Sequence, residues 1–181
     1  MNTKMITYIL GRMLGVEALV LLVPALVAGI YGESVSPFLI TGAGLMLLAV
    51  LTGRKKPQNS TIYGKEGFII IACAWILWSV FGALPFYISG EIPSFVDAIF
   101  ETVSGFTTTG STILTNIEGL SKGMNFWRCL THWIGGMGVL VFVMVIVSLE
   151  DKNSMHLMRA EVPGPETDKL VPKARDTAKI L

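Results

Sequence analysis

The sequence predicts an all-α integral membrane protein with four transmembrane helices, one re-entrant pore helix and a filter loop. Three observations carry this. The chain of 181 residues is 52% hydrophobic and only 15% charged, a balance unsuited to a water-soluble core. Its apolar residues gather into four runs, each about the 17–25 residues that a spanning helix needs. Between the third and fourth runs stands a short amphipathic segment ending in SGFTTTGST, three threonines between glycines with greasy sequence on either side. A net charge of +1 supplies no field that would draw nucleic acid.

The four runs are about Met13–Tyr31, Ser36–Thr52, Gly67–Ile88 and Phe126–Leu149. The opening MNTKMITYILGRMLG leads into apolar sequence without a clear small-residue cleavage site, so it reads as a retained first span and not a signal peptide. Pro24 and Pro85 are expected to bend the first and third spans or end them early, which bilayer helices tolerate when neighbours satisfy the freed carbonyls. TGAG, Thr41 to Gly44, would let a neighbouring helix approach the second span closely. Cys73 and Cys129 lie in apolar stretches and read as small hydrophobes, neither as a disulfide nor as metal ligands. Trp75, Trp78, Trp127 and Trp133 suit interfacial or interhelical positions.

Basic residues set the orientation. Lys4 and Arg12 precede the first span, GRKK (Gly53 to Lys56) and Lys65 lie between the second and third, and Lys152, Arg159, Lys169, Lys173, Arg175 and Lys179 follow Leu149. The positive-inside rule places these segments and both termini in the cytoplasm. On the opposite side, Glu33 and the stretch Ser89 to Asn125, with Glu91, Asp97, Glu101 and Glu118, are balanced only by Lys122. That acidic segment is either a solvated loop or a vestibule that concentrates cations. The chain divides into two N-terminal helices with a basic loop (1–58), a helix–pore loop–helix repeat (59–150) and a cytoplasmic linker (151–181).

The connection from Ser89 to Asn125 is too long for a hairpin. Ser94 with Asp97 three residues on has capping-box spacing, and Phe95, Ala98, Ile99 and Val103 then share one face, so a helix of about three turns runs from near Ser94 to near Gly105. That is too short to cross a bilayer. A short helix ending on glycine, followed by polar extended residues, fits a re-entrant loop whose non-helical backbone lines water. Thr107, Thr108 and Thr109 offer carbonyl and hydroxyl oxygens in succession, the donors that replace the hydration shell of K+. Gly110 can turn a carbonyl inward where a β-branched residue resists, and the helix aims its negative end at the ion. On its own, a threonine–glycine run is also an ordinary polar loop.

Other residues have competing readings. Glu17 and Arg12 are expected to snorkel to the cytoplasmic interface, in preference to ion binding. Arg128 is expected to pair with Glu101 or Glu118 and pin the pore helix, and His132 to stay neutral and hydrogen-bonded. GGMG, Gly135 to Gly138, reads as a close-packing surface in preference to a hinge. Ser104 or Ser111 with His132 could in principle form a serine–histidine pair, but no third orienting group accompanies it.

FETVSGFTTTGST (Phe100 to Thr112), FWRCLTHWIGGMGVLVF (Phe126 to Phe142) and RAEVPGP (Arg159 to Pro165) resemble the TrkH-type membrane subunit of the Trk/Ktr/HKT superfamily of potassium transporters. The resemblance covers essentially the whole chain. It implies two leading helices and the first of four helix–pore loop–helix repeats, with Thr107, Thr108, Thr109, Gly110 and Ser111 as one quarter of a selectivity filter. K+ would meet Thr108, Thr109 and Gly110, the transported ion being the bound species and no cofactor being required. It further implies a bacterial plasma-membrane location, contact with lipid, a homodimer in the full-length family, and a cytosolic nucleotide-binding regulatory subunit. TrkH-like chains carry four repeats, so this sequence reads as the N-terminal portion of such a transporter. A non-conducting fragment that only packs with partner helices is the alternative.

Overall fold

The computed structural model describes residues 3–53, 57 and 64–138, and among them every regular element is helical. α1 (Thr3–Val20) and α2 (Leu22–Ile30) form one rod of 28 residues, long and apolar enough to cross a membrane. The joint at Leu21 follows Val20, whose carbonyl lies four residues before Pro24 and so gains no N–H and is crowded by the ring. The proline's effect is therefore present as an interruption at Leu21, but the rod starts at Thr3 and not Met13. Long basic side chains on its first turns do not end a helix near an interface. The earlier start also corrects the reading of Glu17, which lies 14 residues in, about 21 Å along the helix. It is fully buried and does not snorkel, and its carboxyl oxygens find no hydrogen-bond partner among the described residues.

α3 (Ser36–Gly53) returns along α1, with Gly42 of TGAG facing the Ala18 carbonyl. α4 (Gly64–Gly82) and α5 (Leu84–Ser89) form the next apolar run, Glu66–Ser89, interrupted at Ala83 just before Pro85 in the first turn of α5. α6 (Phe95–Phe106) is the predicted short helix, ending one residue later than expected. Ser94 caps it by accepting the Asp97 N–H at 3.4 Å. After a 3₁₀ turn at Ile117–Gly119 comes α7 (Lys122–Met137), which begins four residues before the expected Phe126 because Ser121 caps it there. It ends at Gly138 (φ +76°). The remainder of the fourth predicted span, residues 139–149, lies outside the described residues.

α6 lies between α4 and α7, and its last residue is the centre of the packing. The Phe106 ring is fully buried and meets Trp75, Trp78 and Trp127 edge-on, with centroids 6.5, 5.7 and 6.4 Å away. Edge-to-face pairs of this kind add about 0.5–1.5 kcal/mol each beyond burial. Trp127 also donates its indole N–H to the Gly82 carbonyl (2.8 Å), at the joint between α4 and α5. On the other side, α7 comes so close that a Cβ at Gly135 would overlap the Phe106 carbonyl oxygen and lie 2.7 Å from its carbonyl carbon. GGMG is thus a packing surface at Gly135. Backbone cannot yield as a side chain can, so Gly135→Ala should lower stability by about 1–3 kcal/mol, read as a lower Tm of the purified chain in detergent. Gly44→Ala, where nothing lies within 4 Å, should not lower it.

Candidate ion-filter site

The threonine run begins as the end of α6. Thr107 is the C-cap, with φ −81° and ψ −1°, and the next two N–H groups fold back onto the helix, Thr108 to the Gly105 carbonyl (2.9 Å) and Thr109 to the Ser104 carbonyl (3.0 Å). This paired closure needs a left-handed residue at its turn, a place usually taken by glycine. Here it is Thr108, at φ +55°, at a cost of about 1–2 kcal/mol. The extended backbone expected from Thr107 onward is therefore absent at Thr107 and Thr108, because the last carbonyls of α6 take the nearest donors. The hydroxyls form a local chain as well. Thr107 donates to the Val103 carbonyl (2.8 Å), Thr109 lies 2.8 Å from Thr107 Oγ1, and Thr108 donates to the Thr107 carbonyl (2.7 Å). Gly110 follows at φ +76°, and a Cβ there would meet nothing within 4 Å. Thr107 to Ser111 are all exposed. Replacing the strained residue, Thr108→Gly, should raise the unfolding free energy by about 1 kcal/mol, measured by denaturation in detergent.

Behind this loop lies an ion pair. Glu101 on α6 is buried, and its Oε1 is 2.6 Å from Arg128 Nε on α7. Of the two partners expected for Arg128, the structure selects Glu101. The other carboxylate oxygen accepts from the Thr112 hydroxyl (2.9 Å) and the Ile113 N–H (3.2 Å), so one carboxylate ties the helix, the limb leaving the loop and α7 together. Sequence reasoning missed the contact to this limb; the spacing of Glu101 from Thr112 carries no local signal. His132 Nδ1 lies 2.9 Å from the Arg128 carbonyl, an acceptor, so that nitrogen carries the proton. The Ser104 hydroxyl donates to the Ser111 carbonyl, leaving the two halves of the conceived serine–histidine pair turned to other partners.

The acidic outer segment is largely structural. Glu33 accepts the N–H groups of Lys122 (2.8 Å) and Gly123 (2.9 Å) at the start of α7. Glu91 accepts the Ser121 N–H (2.9 Å) and hydroxyl (2.7 Å). With Glu101 in its own cluster, these three carboxylates serve helix ends and the limb that leaves the loop. Carboxylates favour a helix N-terminus because its N–H groups are unpaired and its dipole is positive there. Removing one partner of the buried pair strands the other charge, so Arg128→Met should cost about 3–5 kcal/mol. The double variant Glu101→Gln/Arg128→Met should lose less than Arg128→Met alone, a comparison made by thermal unfolding of the three chains.

Comparison with known proteins gives a consistent result. A family model, TrkH, described as a cation transport protein, matches residues 38–181. The Trk system potassium uptake protein TrkG of Escherichia coli K12 is 35% identical over 191 residues, taking in all of this chain and 39% of that protein. TrkH of Vibrio parahaemolyticus, likewise a Trk system potassium uptake protein, is 34% identical over 185 residues, with all of this chain and 38% of that protein covered. The crystal structure of the potassium transporter TrkH from Vibrio parahaemolyticus superposes on 99% of this chain and 36% of its own, with a TM-score of 0.78 and 29% identity. The chain thus spans somewhat under two fifths of the length of these relatives.

Proposed function

The chain belongs to the TrkH family of cation transport proteins, and we propose that Thr107, Thr108, Thr109, Gly110 and Ser111 form one wall of a K+-selective filter in a Trk-type uptake system. The single observation that carries this is the backbone at the end of α6. A capped helix whose last three residues are buried delivers its C-terminus to a left-handed threonine and then to Gly110 at φ +76°, where a Cβ would meet open space. K+ would meet oxygens of Thr108, Thr109 and Gly110, which replace its water, and the negative helix end adds roughly half a charge. The left-handed φ at Gly110, and not a lack of space, disfavours a residue with a Cβ there, so a substitute strains the backbone that sets that carbonyl.

The same reading makes α6 and its loop re-entrant between the third span and a fourth that begins in α7, in a multi-pass membrane protein. Residues 1–58 are then the two leading helices, 59–150 one repeat and 151–181 the cytoplasmic linker. The distribution of basic residues supports cytoplasmic termini in a bacterial plasma membrane. Further walls of the filter, a homodimer and a cytosolic nucleotide-binding regulatory subunit complete the proposed assembly, by analogy with the relatives. That these relatives are potassium uptake proteins favours K+ uptake over a fragment that merely packs with partner helices.

The test replaces the matching segment of the 35% identical Escherichia coli protein with these 181 residues and measures Rb+ uptake in cells that lack their own K+ uptake. Gly110→Ala should reduce uptake about tenfold, the factor expected for 1–2 kcal/mol at one ring of oxygens, and Gly110→Asp should abolish it. Unaltered uptake by Gly110→Asp, at equal amounts in the membrane, would sink the reading.

A further inference from the structure

We propose that the ion-facing part of this stretch ends at Gly110 and that Ser104 is a positioning residue, its hydroxyl holding the Ser111 carbonyl away from the ion path. This inference rests on the filter reading above and deepens it. Ser104 lies on the last turn of α6 and is 4% exposed. Its hydroxyl donates to the Ser111 carbonyl at 2.5 Å, seven residues on. An oxygen bonded to a buried hydroxyl points into the protein, whereas Gly110, one residue earlier, opens onto free space. The next two residues point the same way as Ser111. The Thr112 hydroxyl and the Ile113 N–H both end on Glu101, which is 1% exposed and held by Arg128.

The polar groups of residues 111 to 113 named here are thus all spent on the support behind the loop. Ser111 is a strut, and its carbonyl, drawn back to the Ser104 hydroxyl, sets where the ring of ion ligands stops. Without the Ser104 hydroxyl, nothing in this contact opposes rotation of the 111–112 peptide, so the Ser111 carbonyl enters the path at a distance not matched to K+. Discrimination between ions should then suffer before transport itself is lost.

The measurement is the ratio of Na+ to Rb+ flux in vesicles carrying the full-length transporter with these 181 residues in place. A ratio is unmoved by a loss of folded protein, since misfolded copies carry neither ion. Ser104→Ala should raise it about two- to tenfold, the worth of one hydrogen bond, and Ser104→Thr, which keeps the hydroxyl, should restore it. Thr102→Val removes a buried hydroxyl that serves only the Ala98 carbonyl of its own helix and should leave the ratio unchanged. An unmoved ratio in Ser104→Ala alongside a shift in Gly110→Ala overturns the latch and leaves the filter standing; an unmoved ratio in Gly110→Ala overturns the filter reading itself. The hydrogen bond is checked separately in the 181-residue chain by isotope-edited infrared spectroscopy of the Ser111 carbonyl. Its band should move to higher frequency in Ser104→Ala and stay in place in Thr102→Val, and a band that stays in place in both overturns the proposal whether or not the hybrid transports.

Discussion

Everything at the candidate filter hangs from Phe106. Its ring is gripped by three tryptophans from two helices, and its carbonyl is pressed against Gly135 of α7, where no side chain intervenes. Side chain and main chain are therefore fixed independently, one by dispersion and burial, the other by hard contact. The threonines that follow inherit this placement. Ion selection through oxygen ligands depends on distances that must hold to fractions of an ångström, and a helix end free to rock would blur them. Close packing is the means available in a bilayer, where lipid is as apolar as the side chains and burial alone does not press helices together.

The polar groups follow a second economy. Helix ends and irregular backbone leave donors without partners, and water cannot be relied on to supply acceptors at membrane depth. This chain uses carboxylates for the purpose. Glu33, Glu91 and Glu101 each accept two or more bonds from groups far along the sequence. Each charge is thereby tied to a specific set of donors, so the acidic character read from composition reports architecture more than surface potential.

What could be read in advance was what depends on local pattern. The cap at Ser94, the short amphipathic helix, the breaks before Pro24 and Pro85 and the packing role of GGMG all follow from neighbours within a turn or two. The start of α1 could not be placed, because Lys4 and Arg12 mark a boundary in composition while the helix ignores them. That error propagated to Glu17, whose depth depends on where the helix begins. The left-handed Thr108 was hidden for another reason: a β-branched residue argues against that conformation, and only the tertiary hold on Phe106 and the demands of the last α6 carbonyls impose it. The Glu101 cluster joins residues 11 to 27 positions apart, beyond any periodicity. Motif resemblance pointed to the candidate site; the supports behind it were visible only in three dimensions.

The carboxylate of Glu33 bears on how such a chain is made. It reaches the first N–H groups of α7, 89 and 90 positions downstream, from a turn between α2 and α3 that leaves the ribosome long before α7 exists. The two leading helices thus arrive in the membrane carrying an acceptor for a helix not yet synthesised. Their place ahead of α7 makes them a template against which α7 can settle, and the order of synthesis becomes part of the assembly.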